Sequence, residues 1–115
     1  MLWIPGQRIL ITGDVSFNDM HVYTAETDIK ARGKWLSSLN KIRALKPSVV
    51  IPGHSKVGAP LDAGTAVDFT ERYLLVFEEE LRNAKHPDSL VNTMKERFPS
   101  ADLLLAIERG AEANV

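Results

Sequence analysis

Three short segments of the chain consist almost entirely of apolar and β-branched residues and are bounded by turn residues. They lie at residues 2–4, 8–12 and 48–51. Pro5-Gly6 between the first two segments predicts a turn and therefore a short hairpin. The run from Ile9 to Ile11 is continuously apolar instead of alternating, which is typical of a strand covered on both faces. The pattern therefore predicts three strands.

Four further segments carry apolar residues at helical spacing. The first begins after a cap at residues 27–28 and ends at Lys46-Pro47. Its basic residues, Arg32 among them, are expected mostly outside the apolar stripe. That stripe consists of Trp35, Leu36, Leu39, Ile42 and Leu45. The other three helices are expected at residues 62–84, from His86-Pro87 onward, and from Ser100 to near Gly110.

The predicted order of elements is β-β-α-β-α-α-α, with an irregular loop over residues 15–26. This order is typical of an α/β fold, and since neither a repeat nor a linker interrupts it, we expect residues 1–115 to form one domain. A right-handed crossover through the first helix would make the second and third strands parallel neighbours. Three strands form a thin sheet for four helices, which suggests that part of the sheet structure is missing.

The composition excludes several functional classes without selecting one. Lys and Arg number 14 against 15 Asp and Glu, so we expect no nucleic-acid partner and no attachment to a charged membrane surface. The apolar runs are too short to span a membrane, and the start does not resemble a signal peptide, so a cytoplasmic location is expected. The chain has no cysteine, which excludes disulfides, thiolate zinc sites and cysteine nucleophiles.

Two residues with chemical potential follow the ends of the predicted parallel strands. Asp14 comes directly after Gly13, and His54 comes directly after Pro52-Gly53. The carboxyl ends of neighbouring parallel strands meet at one rim of the sheet, where such folds bind their ligands. A carboxylate and an imidazole at that rim would suit metal binding or acid–base chemistry. The alternative is that each residue only forms a turn or caps a helix.

The remaining candidates are weaker. His21 lies in the loop after the second strand and could reach the same rim, or it could be an ordinary solvent-exposed histidine. His86, at the start of a helix, is expected to be structural. The three consecutive glutamates at residues 78–80 are expected to form a solvated helix face with no special partner.

The chain contains the segment RILITGDVSFN, then His21 and YTAET, and further along VVIPGH. Together these segments resemble the metallo-β-lactamase-fold hydrolases. The two motifs in this order, separated by a crossover helix and a buried strand, are more specific than either one alone. The resemblance implies an αββα sandwich made of two similar halves, of which this chain corresponds to the C-terminal half.

The resemblance also implies roles for individual residues. In that family the aspartate after a strand-end glycine bridges two metal ions, usually zinc, and Asp14 matches it. The last histidine, in a Pro-Gly-His turn, completes the second metal site, and His54 matches it. His21 matches a histidine that some members carry after the bridging aspartate, which would make it a site-lining residue. The family's His-x-His-x-Asp-His motif belongs to the N-terminal half and has no counterpart in this sequence.

Three hypotheses follow from this incomplete ligand set. The first is a truncated metallo-β-lactamase-like protein that is not an independent hydrolase, because Asp14 and His54 are too few ligands for zinc, iron or manganese. A homodimer or other homo-oligomer would then cover the sheet face left apolar by the missing half. The second is a metal-dependent hydrolase of ester, lactone, thioester or β-lactam type, completed by oligomerisation or by a partner chain. The third is a metal-free binding module.

Overall fold

The sheet and the helices appear in the predicted order in the computed structural model, which describes residues 1–115. Three strands and four helices confirm the α/β fold and both element counts. The elements are β1 (Leu2–Ile4), β2 (Ile9–Asn18), α1 (Ile29–Ala44), β3 (Val49–Ser55), α2 (Thr65–Asn83), α3 (Pro87–Arg97) and α4 (Leu104–Asn114). β1 pairs antiparallel with β2, which confirms the hairpin, and β2 pairs parallel with β3, which confirms the crossover.

β2 is longer than predicted and replaces the first part of the expected loop over residues 15–26. Its last residues pair with β3, and they include polar side chains that break the apolar pattern but are buried. Ser16 shares a hydrogen bond of 2.5 Å with the Thr12 hydroxyl, and the amide of Asn18 donates to the carbonyl of Pro60 at 2.8 Å. The polar groups are therefore satisfied inside the fold, which a sequence pattern does not reveal.

Two other boundaries also differ from the prediction. β3 continues through Pro52 to Ser55, so that His54 lies within the strand instead of after it, and the longer β2 likewise contains Asp14 instead of ending before it. α4 begins at Leu104 and not at Ser100, because Leu103 adopts the left-handed conformation and starts the helix there, and it continues to Asn114 beyond Gly110. None of the helices combines the length and the apolar character needed to cross a membrane.

α1 and α2 cover one face of the sheet, α3 packs against α2 and α4, and all four helices contribute to the core. Leu10 and Val50 are paired across β2 and β3 and are 1% and 0% exposed. They belong to one buried cluster with Leu39 and Ile42 of α1 and with Phe77 of α2. The Cα atoms extend over 48 × 30 × 17 Å, and the short dimension corresponds to one helix layer packed on one sheet layer.

The helix layer does not cover the opposite face of the sheet. Side chains on that face alternate with the buried ones along each strand, are exposed or half-buried, and do not pack against the buried cluster. They are all aliphatic, and we call them the bare face: Leu2, Ile4, Ile9, Ile11, Val49 and Ile51. The prediction that the run from Ile9 to Ile11 is covered on both faces is therefore wrong within this chain.

The apolar stripe of α1 differs from the prediction at both ends. Leu45 is 42% exposed, whereas Arg32 is buried. The guanidinium of Arg32 forms an ion pair with Glu78 of α2, donates to Asn114 of α4 at 2.8 Å and lies 5.2 Å from the ring centre of Phe77. The expectation that Glu78 belongs to a solvated face without a partner is therefore wrong. Glu78 neutralises the buried charge of Arg32, whose contacts join α1, α2 and α4.

Candidate functional site

The predicted site residues lie where the pairing of β2 with β3 becomes irregular, in the middle of β2 and near the carboxyl end of β3, and we call this place the rim. Two glycines shape it. Gly13 has a φ of +60°, a conformation that favours glycine, and β2 is irregular there: it advances two residues from Ile11 while β3 advances one from Ile51. A Cβ atom on Gly53 would lie 2.5 Å from the carbonyl carbon of Gly13 and 2.8 Å from Asp14 Oδ1. The close approach of the two strands therefore requires glycine at position 53.

This close approach brings the two predicted site residues together. Asp14 Oδ1 lies 3.3 Å from His54 Nδ1, with the side chains 81% and 45% exposed. The His54 ring stacks on Phe17, with 5.0 Å between ring centres and 9° between planes. Because Phe17 is buried in the core, this stacking gives the exposed imidazole a fixed position beside the carboxylate. The pair presents one carboxylate and one imidazole to solvent.

Asp14 and His54 line a cleft of about 570 Å³ between the rim and the segment that leads into α1. Its other walls include the aromatic residues Phe17, Tyr23 and Trp35. The indole Nε1 of Trp35 donates to the Val15 carbonyl at 2.7 Å, which fixes the orientation of that wall. The cleft is therefore a largely apolar cavity with the Asp14–His54 pair at its edge, as ligand sites commonly are.

The donor set at the rim does not fit a metal ion within one chain. Structural zinc sites take four protein ligands and catalytic ones take three. Asp14 and His54 provide two, and nowhere in the chain do three or more His, Cys, Asp or Glu side chains form a group that could hold a metal ion. A zinc, iron or manganese ion at this rim would need donors from outside the chain.

His21 does not join the other two candidates. It is fully buried, and its Nδ1 lies 2.9 Å from the hydroxyl of Tyr73 on α2. It lines a second cavity, which Asp14 and His54 do not touch. The alternative of a solvent-exposed histidine is wrong because the turn between α3 and α4 covers this part of the chain: the His21 backbone N–H donates to the Asp102 carbonyl at 2.8 Å.

Sequence reasoning missed the aromatic walls of the cleft. The helical stripe of α1 predicts Trp35 in the core, but Trp35 is half-buried and lines the cleft. Tyr23 and Glu26 also line the cleft and gave no signal, because the segment between Asn18 and α1 has no periodic pattern. The signal in the sequence was the predicted strand-end position of Asp14 and His54, although both strands continue past these residues.

A family model described as the metallo-beta-lactamase superfamily matches residues 1–54. The matched part contains the three strands up to His54, the crossover helix α1 and both residues of the Asp14–His54 pair. The helices α2, α3 and α4 lie beyond it, and of these α2 packs directly on the sheet. No curated protein matches the chain.

Proposed function

We propose that the chain is the C-terminal half of a metallo-β-lactamase-like domain and works as an assembly module, not as a hydrolase on its own. The bare face carries this proposal: six aliphatic side chains on one side of a sheet whose other side is fully packed. Monomeric soluble proteins rarely leave such a patch in water. The metallo-beta-lactamase superfamily match over residues 1–54 supports the domain type.

A second copy of the chain is the occupant that best suits the bare face. The face carries no charge, so two copies would meet without like-charge repulsion, and the net charge of the whole chain is only -1. A two-fold dimer pairs a patch with itself, and two sheets pack face to face when each presents interdigitating aliphatic residues. The dimer would be a four-layer arrangement with helices outside and two sheets inside.

Sedimentation at micromolar concentration tests this proposal. The chain is expected to sediment with twice its own mass, and Ile11→Lys is expected to make it a monomer by placing a charge at the centre of the bare face. Leu75→Lys is the matched control, because Leu75 is 53% exposed on α2 and lies outside the bare face. Near-ultraviolet circular dichroism of Trp3 and Trp35 establishes that each variant is folded.

Two results would contradict the dimer. If the unaltered chain sediments as a monomer at every concentration, the bare face is not a dimer interface. If a folded Ile11→Lys variant stays dimeric while Leu75→Lys dissociates, the interface lies on the helix layer.

A metal-dependent hydrolase of ester, lactone, thioester or β-lactam type is the second candidate. The 3.3 Å approach of Asp14 to His54 favours it, because two glycines hold a carboxylate and an imidazole together at the edge of a cleft. Two copies would supply four such ligands, the number that zinc takes. This candidate requires the missing donors to come from a second copy or from a partner chain.

Elemental mass spectrometry on untagged protein purified without chelator separates the two candidates. Zinc, iron or manganese in stoichiometric amount, lost in a combined Asp14→Asn and His54→Gln variant but kept in His86→Gln, would support the hydrolase. His86 is an exposed residue at the start of α3 and controls for the general affinity of histidine for metals. A dimer without metal would support the assembly module alone and would contradict the hydrolase.

A further inference from the structure

The second cavity lies beside the turn between α3 and α4, has a volume of about 520 Å³ and shares Leu103 with the Asp14–His54 cleft. Its lining combines an apolar part with a histidine, a lysine and an aspartate. Leu103 forms part of the apolar side and adopts the left-handed conformation with φ 64° and ψ 53°, which is costly for a leucine and directs the chain around the cavity. The residues that matter for binding are His21, Lys95, Phe98, Asp102, Leu103 and Leu104.

The histidine in this cavity has one ring nitrogen without a partner. His21 is 0% exposed, and its Nε2 is buried and forms no hydrogen bond. Nδ1 is taken by the Tyr73 hydroxyl at 2.9 Å, so Nε2 is the ring nitrogen that His21 can offer to the cavity. A buried polar atom without a partner is uncommon, and it calls for a water, an ion or a ligand group.

The contacts of Tyr73 indicate that His21 Nε2 is a donor. Burial raises the pKa of Tyr73, so its hydroxyl keeps its proton. His21 Nδ1, at 2.9 Å, is the hydrogen-bond partner of that hydroxyl, and a buried hydroxyl proton without an acceptor is costly, so we infer that the hydroxyl donates to Nδ1. Burial, and then the positive charge of Lys95, lower the pKa of His21, which keeps the ring neutral with its own proton on Nε2.

Lys95 adds a second donor with a full positive charge at the same cavity. Asp102 is the acidic residue of this cavity, and both its carboxylate and its backbone carbonyl have partners. The carboxylate lies 3.9 Å from the Lys56 ammonium group, and the carbonyl accepts from the His21 backbone N–H. The cavity therefore offers an N–H donor and an ammonium group beside the apolar surface of Phe98 and Leu103.

We propose that this cavity binds a small monocarboxylate with a short apolar tail. The carboxylate would accept from His21 Nε2–H and from the Lys95 ammonium group, and the tail would lie against Phe98, Leu103 and Leu104. Charge-assisted hydrogen bonds of this kind are stronger than neutral ones, which favours a carboxylate over an alcohol or an amide. The site is independent of the Asp14–His54 pair and of dimer formation.

Titration with isovalerate, followed by the side-chain resonances of His21 and Phe98 in nuclear magnetic resonance spectra, tests the site on the full chain. Isovalerate is expected to bind at millimolar concentration, and isovaleramide, which has the same shape without the charge, is expected to bind much more weakly. Lys95→Gln is expected to weaken isovalerate about tenfold, as the loss of one charge-assisted hydrogen bond would. Lys41→Gln is the control, since Lys41 is also an exposed lysine on a helix but lies on α1 and does not line this cavity.

Three outcomes would overturn the proposal. The first is that isovalerate leaves the resonances unchanged, in which case a water satisfies Nε2. The second is that isovaleramide binds equally well, and the third is that Lys41→Gln weakens binding as much as Lys95→Gln. A long-range ¹H–¹⁵N spectrum gives a further check that needs no variant: the His21 proton is expected on Nε2, and a proton on Nδ1 would contradict the proposed contact.

Discussion

The two faces of the three-stranded sheet are built from the same kinds of residue but have different surroundings. On the covered face Leu10 and Val50 are 1% and 0% exposed, whereas on the bare face Ile9 and Ile11 are half-buried and Leu2 is 58% exposed. Adjacent residues of a strand point to opposite faces, so one position along β2 separates the two environments. The comparison shows that apolar character decides which residues can be buried, while the surrounding layers decide which of them are buried within this chain.

The two faces therefore have different physical roles, one in folding and one in association. The covered face contributes to the stability of the folded chain, because its side chains leave water when the helices pack on it. The bare face contributes only when something else covers it. Substitutions on the two faces should therefore differ in size and in their dependence on protein concentration.

The largest effect is expected for Leu10→Ala on the covered face. Removing a fully buried leucine side chain leaves a cavity among α1, α2 and the sheet, and we expect a loss of about 2–4 kcal/mol in the free energy of unfolding. Ile11→Ala, one residue away on the bare face, is expected to cost about 1 kcal/mol or less in the dilute, monomeric chain. Urea denaturation followed by circular dichroism measures both.

The dependence on concentration sharpens this prediction. The cost of Leu10→Ala should be the same at all protein concentrations, whereas that of Ile11→Ala should grow as the protein is concentrated, because a dimer adds binding energy to the folded state. Equal costs for the two variants in the dilute chain would mean that the bare face is covered within the chain itself.

The second-largest loss of stability is expected when the buried ion pair between α1 and α2 is broken. Glu78→Ala leaves the buried guanidinium of Arg32 without its carboxylate, and we expect a loss of about 2 kcal/mol, since Arg32 keeps its bonds to Thr27 and Asn114. Glu79→Ala is the matched control: its side chain is 54% exposed and 3.8 Å from Arg97, so a loss of about 0.5 kcal/mol or less is expected. Thermal unfolding of both variants measures the difference, and equal losses would contradict the structural role of Glu78.

The fold was largely predictable because its signals are local. The turn at Pro5-Gly6, the helical spacing in α1 and α2, and the short apolar segment of β3 each depend on a few neighbouring residues. The end of β2 was not predictable, because Ser16 and Asn18 look like loop residues until Thr12 and Pro60, distant in sequence, supply their partners. Burial of Arg32 depends in the same way on Glu78 of another helix.

The candidate site was predictable only in part, for a related reason. Asp14 and His54 could be paired because the parallel pairing of β2 with β3 was predictable, although both residues lie within their strands and not after them. The position of His21 could not, since it depends on Tyr73 of α2 and on the turn before α4, which no spacing within the loop reveals. A histidine in an irregular segment can therefore lie at a site, in solvent or in the core without any change in its local sequence.

The smallest expected effect is a pH dependence of stability that arises from His21 beneath the helix layer. Burial, and then Lys95, lower its pKa below the ordinary value of 6.5, so the unfolded chain takes up a proton at this residue before the folded chain does. The free energy of unfolding should therefore be insensitive to His21 well above pH 6.5 and should fall as the pH drops below that value. His21→Gln would remove this contribution to the pH dependence.

Urea denaturation at about pH 7.5 and about pH 5.5, which bracket the ordinary histidine pKa, measures the effect. The loss of stability between the two pH values should be smaller in His21→Gln than in the unaltered chain, even though the variant is less stable at both. His86→Gln is the control, since His86 is exposed and its replacement should leave the pH dependence of the unaltered chain in place. The same pH dependence in all three proteins would mean that burial under the helices does not shift the titration of His21.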